Sequence, residues 1–206
     1  MALEFFRRAS GNPAHLGILA GAFNPVTVAH LGLAQAALGV LDEVVFVLPR
    51  QFPHKSYEGA AFPDRLAMLR QALADESRFS IVSAAGGLFR EIAAECRQAY
   101  GARTKLSFLC GRDAAERVVN WDYGDPLAVE RMLRDFGLLV AARGGSYIAP
   151  PQFSAAVSAL PLDPAHEAVS ASEARRRISC GEDWEALLPP AIREYARRIY
   201  CPTTGK

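Results

Sequence analysis

Five short apolar runs of strand length recur along this chain, and they constrain its fold more than any other feature. The runs cover residues 16–20, 44–48, 79–82, 106–110 and 138–142. Each is apolar on consecutive positions, which is typical of strands buried on both faces. Stretches of helical length separate the runs, and this alternation predicts right-handed crossovers and a parallel sheet. The predicted fold class is therefore α/β.

Three helices are predicted between these runs, over residues 28–38, 62–73 and 88–100, because apolar residues recur there at helical spacing. Gly39, directly after the first of them, is a typical helix stop. Helices that alternate with buried strands in this order are typical of a Rossmann-like, doubly wound parallel sheet. We therefore expect helices to cover both faces of the sheet.

We expect the chain to form one domain over residues 1–206. An N-terminal extension over 1–15 precedes the core over 16–143, and a mostly helical C-terminal portion follows over 144–206, with a sixth short strand near Ala168. Few apolar residues remain in that last portion for a second core. A chain of 206 residues, half of them apolar, supplies one well-buried core.

Composition disfavours several classes of partner and site. Lysine plus arginine number 23 against 22 for aspartate plus glutamate, so no overall field favours nucleic acid or a membrane, and phosphate binding has to be local. No apolar segment reaches the length of a signal peptide or a membrane span, so we expect a soluble cytoplasmic protein. The cysteines form no CxxC pair and predict reduced thiols rather than a zinc site. They are Cys96, Cys110, Cys180 and Cys201.

The segment GILAGAFNPVTVAHLGLAQAAL, residues 17–38, leads from a buried strand through a glycine-containing turn into a helix. Such turns lie at the carboxyl ends of parallel strands, where these sheets bind phosphates and nucleotides. Gly21 lets a ligand approach the backbone closely, and Thr27 can cap the helix or offer its hydroxyl to a phosphate. His30 can direct its imidazole at the same anion. Taken alone, such a segment is more often an ordinary loop with a surface histidine.

The same segment resembles the (H/T)xGH signature of the nucleotidyltransferase superfamily, which its adenylyltransferase members carry as GxFDPxHxGH. The matching residues are Gly21, Phe23, Pro25, Thr27 and His30. The segment departs from the signature at Asn24, where the family has Asp, and at Ala29, where it has Gly. Thr27 is an accepted variant of the first signature position.

Three further blocks, in the order found in nicotinate-nucleotide adenylyltransferases, extend the resemblance over nearly the whole chain. Residues 44–73 are similar to a strand, a PPHK-like loop and a helix, which implies that Lys55 reaches the triphosphate. Residues 106–145 are similar to a strand ending in GxD, then a Trp, then a strand ending in an arginine. Residues 168–200 are similar to the closing ISxTxxR signature and its LLPP-containing helix.

These blocks imply functional roles for Gly111, Asp113 and Trp121. For the last two residues a purely structural role stays open. Gly111 would let a nucleotide lie against the strand end, and Asp113 would contact a ribose or hold Mg²⁺ through water, although it is equally placed for a helix N-cap. The indole of Trp121 would stack on a pyridinium ring, which is worth about 0.5–2 kcal/mol, although large aromatic residues are usually core.

The resemblance implies a nucleotidyltransferase that joins nicotinate or nicotinamide mononucleotide to AMP from ATP, with release of pyrophosphate, in NAD biosynthesis. It implies Mg²⁺ bound with ATP and no metal held directly by the protein, and it is compatible with a homo-oligomer. The implied catalytic residues are His30, Thr27 and Arg175. The implied ATP-binding residues are Gly21, Ala22, Phe23, Thr27, His30, Lys55, Gly111, Ser170, Ser172 and Arg175. The implied mononucleotide-binding residues are Asn24, Asp113, Trp121 and Arg143.

One block of the family is missing. Members that use nicotinate mononucleotide carry an SYT-like segment after the third strand, where a tyrosine and backbone amides meet the pyridine carboxylate. Here residues 83–96 read SAAGGLFREIAAEC, in which Gly86 and Gly87 can still bend a backbone that offers N–H groups. Two alternatives therefore stay open, another phosphorylated acceptor and a nucleotide-binding protein that has lost catalysis. A dehydrogenase is disfavoured because no GxGxxG follows the first strand.

Overall fold

The structure is a computed structural model that describes residues 2–52, 57–120, 124–125, 127–141 and 147–201. Its strands are β1 (Glu4–Arg7), β2 (His15–Ala20), β3 (Glu43–Pro49), β4 (Phe79–Ala84), β5 (Lys105–Gly111), β6 (Gly137–Ala141) and β7 (Val157–Leu160). Its helices are α1 (Val28–Ala37), α2 (Phe62–Ala72), α3 (Phe89–Tyr100), α4 (Arg112–Asn120), α5 (Ala128–Asp135), α6 (Ala171–Cys180) and α7 (Arg193–Tyr200).

All seven strands form one sheet in the order β1-β4-β3-β2-β5-β6-β7. Every neighbouring pair is parallel except β1 with β4. Without the antiparallel edge strand, the order is that of a doubly wound nucleotide-binding sheet, whose winding direction reverses between β2 and β5. The predicted Rossmann-like α/β fold is confirmed.

Helices cover both faces of this sheet, as expected. The side chains of α1, α2, α6 and α7 pack on one face around Phe46 and Leu48, and α3, α4 and α5 pack on the other around Val45 and Phe108. The central strand β3 is buried over its whole length, which explains why its sequence is an unbroken apolar run. Within the described ranges, no helix is long and apolar enough to cross a membrane.

The two edge strands differ from what was expected. Residues 1–15 are more than an extension, because β1 pairs with β4 and closes one edge of the sheet. The sixth predicted strand was placed wrongly: Ala168 lies in an exposed turn, and the strand that extends the parallel sheet is β7. β7 has only two buried residues in four, so pairing with β6 rather than an apolar pattern defines it. In the C-terminal portion, expected to be mostly helical over 144–206, the last α-helix begins only at Arg193, after two consecutive prolines, which cannot donate backbone hydrogen bonds.

Candidate active site

The candidate site lies at the carboxyl ends of β2 and β5, where the winding direction of the sheet reverses. Ile18 pairs with Phe108, and continuing that register by three residues places Gly21 opposite Gly111. A Cβ built on Gly111 meets no heavy atom within 4 Å, so the end of β5 faces open space. Crevices of this kind are where doubly wound sheets bind nucleotides.

His30 is oriented by the residue that caps its own helix. Thr27 is the N-cap of α1 and is fully buried. Its backbone N–H donates to Nδ1 of His30 at 3.0 Å, and its hydroxyl lies 2.8 Å from the same nitrogen. Because a backbone N–H can only donate, Nδ1 is the acceptor, and the neutral imidazole carries its proton on Nε2. Thr27 therefore defines which ring nitrogen of His30 is a donor.

The backbone of the first loop is held in an unusual conformation. Phe23 has a φ of 47°, and the Asn24–Pro25 peptide bond is cis. The ring of Phe23 is buried and meets the His30 imidazole edge-on, with 5.2 Å between ring centroids. The nearest atoms to a Cβ built on Gly21 belong to that same phenyl ring, at 3.4 Å. The loop thus packs its own aromatic side chain beneath the predicted phosphate-binding backbone.

Asn24 connects this loop to two distant segments. Its Oδ1 accepts hydrogen bonds from the backbone N–H of Ala60 at 3.1 Å and from the hydroxyl of Tyr200 at 2.6 Å. Burial raises the pKa of the Tyr200 phenol, so that hydroxyl stays protonated as a donor. Asn24 is only 5% exposed. The side-chain amide of Asn24 therefore links the first loop to Ala60 and Tyr200. A contact between Asn24 and the mononucleotide stays a prediction.

Two arginines from different helices donate to carbonyls of the first loop. Arg175 of α6 donates through Nη1 to the carbonyl of Asn24 at 2.5 Å. Arg65 of α2 donates through Nη1 to the carbonyl of Ala22 at 2.9 Å, and its guanidinium lies 4.4 Å from the ring centroid of Tyr57. Sequence reasoning found Arg175 and missed Arg65.

Arg65 is 4% exposed, and this burial lowers the pKa of its guanidinium, which remains charged. The position of Arg65 in the sequence could have identified it. Arg65 precedes Met68 and Leu69 by three and four positions, so it falls on the apolar stripe of α2. A charged side chain in an apolar stripe is an exception that calls for a specific partner.

The start of α6 partly matches the predicted anion site. Ser170 caps the helix, and its hydroxyl accepts the N–H of Glu173 at 3.1 Å. The exposed hydroxyl of Ser172 accepts a hydrogen bond from Nη2 of Arg175 at 3.4 Å. Arg176 and Arg177, which follow Arg175 on the same helix, form ion pairs with Glu173. Thus Ser172 and Arg175 lie together at the crevice, while the Ser170 hydroxyl is engaged as a cap.

Of the four remaining predicted site residues, the structure describes only Asp113. Asp113 is exposed in the first turn of α4, next to the end of β5. Lys55, Trp121 and Arg143 lie outside the described residues. Among the residues that are described, no group of three or more His, Cys, Asp or Glu side chains could hold a metal ion.

The loop after β4, residues 85–88, binds carboxylates that belong to the protein itself. The backbone N–H groups of Ala85 and Gly86 donate to Glu95 at 3.2 Å. Those of Gly87 and Leu88 donate to Oε2 of Glu91, each at 3.1 Å. The sequence predicted that this backbone offers N–H groups to a carboxylate, and it does, but the carboxylates come from α3.

Known proteins resemble this chain over most of its length. A family model described as cytidylyltransferase-like matches residues 18–177. A probable nicotinate-nucleotide adenylyltransferase of Bordetella pertussis is 31% identical over 193 residues, which cover 87% of this chain and 93% of that protein. The corresponding protein of Moorella thermoacetica is 28% identical over 209 residues, covering 92% and 93%.

A solved structure shares the fold. The nicotinic acid mononucleotide adenylyltransferase of Plasmodium falciparum, complexed with NaAD, superposes with a TM-score of 0.69 at 16% identity, covering 89% of this chain and 95% of that one. The range matched by the family model includes both the first loop and Arg175, which meet in the crevice.

Proposed function

The chain belongs to the cytidylyltransferase-like family and, within it, to the nicotinate-nucleotide adenylyltransferases, and from this premise we propose that it joins a pyridine mononucleotide to the AMP part of ATP and releases pyrophosphate. It is a nucleotidyltransferase. The observation that supports the proposal for these residues is that His30 and Arg175, from two helices far apart in sequence, are both hydrogen-bonded to the first loop, through Thr27 and Asn24. Both offer N–H donors where a polyphosphate would lie.

The reaction we propose is an in-line attack. The 5′-phosphate of the mononucleotide attacks the α-phosphorus of ATP, the bond to the β-phosphate oxygen breaks, and pyrophosphate leaves. No covalent enzyme intermediate is required, so the protein acts through position and charge. The reactants are two phosphorylated molecules, and a crevice with oriented donors holds them close to the reacting geometry.

His30 is assigned to the charge that develops on the transferred phosphate. Its proton resides on Nε2 because Nδ1 accepts from Thr27, so the donor is oriented before the substrate binds. The N-terminus of α1 adds a partial positive charge to the same region. Thr27 thus acts on the reaction through His30, and a direct bond from its hydroxyl to a phosphate stays a prediction.

Arg175 and Ser172 are assigned to the β- and γ-phosphates. The guanidinium bonds the carbonyl of Asn24 in this structure and is only half-buried, so one face of it remains accessible to an anion. Arginine binds phosphate in a bidentate manner, which orients the leaving group. Gly21 and Gly111 would frame the ATP site, and Asp113 would face the ribose of the mononucleotide.

A magnesium ion is expected to arrive with the triphosphate. The donor set fits this arrangement, because the only predicted carboxylate at the crevice, Asp113, is exposed and suited to contact an ion through water. Such an ion would supply neutralisation of the charge on pyrophosphate. ATP and a pyridine mononucleotide are the proposed partners, and a cytoplasmic location, a homo-oligomer and the lack of a nucleic-acid partner remain proposals.

A pyrophosphate-release assay with purified protein tests the function. ATP and CTP are offered with nicotinate mononucleotide, nicotinamide mononucleotide, phosphopantetheine and a sugar phosphate as acceptors. The proposal predicts turnover with ATP and a pyridine mononucleotide above all other pairs. Faster turnover with another acceptor would reassign the substrate, and ATP binding measured by calorimetry without pyrophosphate release with any acceptor would indicate a binding protein without catalysis.

A further inference from the structure

The helix that carries His30 has a glycine in its interior. Gly32 is the fifth residue of α1 and lies two positions after His30. Glycine inside a helix is unfavourable, because its backbone loses more conformational freedom on folding than that of alanine, so it calls for a packing explanation. The structure gives one, since a Cβ built on Gly32 would lie 2.6 Å from Cε1 of His166 and closer still to its Nδ1.

His166 belongs to a short 3-10 turn, Pro164–His166, between β7 and α6. The Nδ1 side of its ring lies against the backbone of Gly32, and Nδ1 is buried without a hydrogen-bond partner among the residues that the structure describes. The contact with α1 is therefore a van der Waals contact, which depends on shape alone. It needs the ring on one side and the absence of a Cβ on the other.

The turn that carries His166 leads directly into the start of α6. The N–H of His166 donates to the carbonyl of Asp163 at 2.9 Å, and its own carbonyl accepts the N–H of Val169 at 3.2 Å. Val169 is 6% exposed, and the next residue, Ser170, caps α6. The chain from the histidine to this cap is therefore short, and hydrogen bonds and burial hold its backbone in place.

The two helices joined by this contact carry the proposed phosphate ligands. His30 lies in the first turn of α1, and Arg175 lies near the start of α6. Arg175 also bonds the first loop, but the same guanidinium has to bind phosphate in the proposed reaction. The contact between His166 and Gly32 connects α6 with α1 through groups that are assigned no step of that reaction.

We infer that His166 is a positioning residue: its ring, packed on Gly32, sets the position of α6 relative to α1, so that Arg175 and His30 meet the same triphosphate. This rests on the proposed function and adds a residue to it. A displacement of about 1 Å in a group that positions a substrate can cost about 10²-fold in rate. Neither residue belongs to β5 or α4, to which the proposed function assigns the mononucleotide, so the effect is expected on ATP.

The test is a double-mutant cycle in the full chain, with Gly32→Ala, His166→Ala and the two together. Calorimetry measures the affinity for ATP with Mg²⁺, pyrophosphate release gives KM for ATP and for nicotinate mononucleotide, and thermal unfolding gives Tm. Each single substitution should weaken ATP binding and raise KM for ATP by about tenfold, and leave KM for the mononucleotide within about twofold. The double variant should match His166→Ala, because the added Cβ no longer meets the ring.

His166→Phe keeps a flat ring on Gly32 without the ring nitrogens, so its ATP affinity should stay within about threefold of the parent. Gln35→Ala, at an exposed position of α1, is the control and should change none of these values.

Unchanged ATP affinity in both single variants, losses that add in the double variant, or equal losses in His166→Phe and His166→Ala overturn the positioning role and spare the proposed function. A lower Tm with both KM values unchanged also overturns it, because the contact would then contribute to stability alone. A parent protein that binds ATP but releases no pyrophosphate overturns the proposed function, and the ATP affinities of the variants still decide the role of His166. A parent protein that does not bind ATP overturns both.

Discussion

Replacing His30 with alanine removes an imidazole that is oriented before any substrate binds. Its Nδ1 accepts the Thr27 N–H at 3.0 Å, so the ring proton is on Nε2. In the proposed mechanism this donor meets charge that grows mainly in the transition state, and its loss raises the barrier more than it weakens ATP binding. Removing one preorganised donor of this kind costs about 10²- to 10³-fold in kcat, or about 3–4 kcal/mol.

The same hydrogen bonds determine how much stability the substitution costs. Thr27 is fully buried, and its N–H and hydroxyl both lie within hydrogen-bonding distance of the imidazole that alanine removes. A buried donor left unsatisfied costs about 1–3 kcal/mol. Each kcal/mol lowers Tm by about 2–4 °C in a chain of this size. His30→Ala should therefore be less stable but still folded at 25 °C.

Three measurements separate the two effects: kcat by pyrophosphate release, ATP affinity by calorimetry and Tm by thermal unfolding. Thr27→Val is the comparison variant, because it removes the hydroxyl and keeps the backbone N–H that selects the Nε2 proton; its kcat should fall less than that of His30→Ala, and an equal fall would indicate that the hydroxyl itself contacts the phosphate. If folded His30→Ala retains at least about a third of the parental kcat, a barrier change under about 1 kcal/mol, the catalytic role of His30 is refuted.

Glu95→Ala leaves two part-buried backbone N–H groups without their acceptor, so unfolding in urea should show a loss of about 1–3 kcal/mol; an unchanged midpoint would mean that water replaces the carboxylate. Arg65→Met keeps the bulk of a buried side chain but releases the first loop, so we expect kcat to fall at least tenfold, with exposed Arg70→Met unchanged as the control; equal activity of the two variants would contradict a positioning role. Burial raises the pKa of two cysteine thiols to about 12, so iodoacetamide at pH 8 should label only the two exposed thiols of the native protein, and labelling of all four without denaturant would disprove this burial. The protected cysteines are Cys96 and Cys110, and the reactive ones are Cys180 and Cys201.

The sequence by itself determined the five central strands β2 to β6, the three helices α1, α2 and α3, and the position of the first loop, whereas it did not predict α4 and α5. Strands such as β3 are buried on both faces, so every residue has to be apolar and the pattern is local and unambiguous. The first loop was equally readable, because the turn, the cap at Thr27 and the imidazole of His30 lie within ten consecutive residues. The family followed from four blocks in the correct order.

Only the tertiary structure decided which long-range contacts connect these strands, helices and loops. Asn24 is hydrogen-bonded to Tyr200, 176 positions away in the chain, and Arg65 is hydrogen-bonded to Ala22, 43 positions away. No local sequence pattern predicts either contact. β7 is a strand because β6 offers it a parallel edge, although its own sequence is only half apolar. The loop after β4 shows most clearly that a sequence pattern does not determine the partner of a backbone group. Its glycines predicted donors for a substrate carboxylate, but two glutamates of α3 accept these hydrogen bonds, because N–H groups that are partly removed from water need an acceptor whether or not a ligand is present.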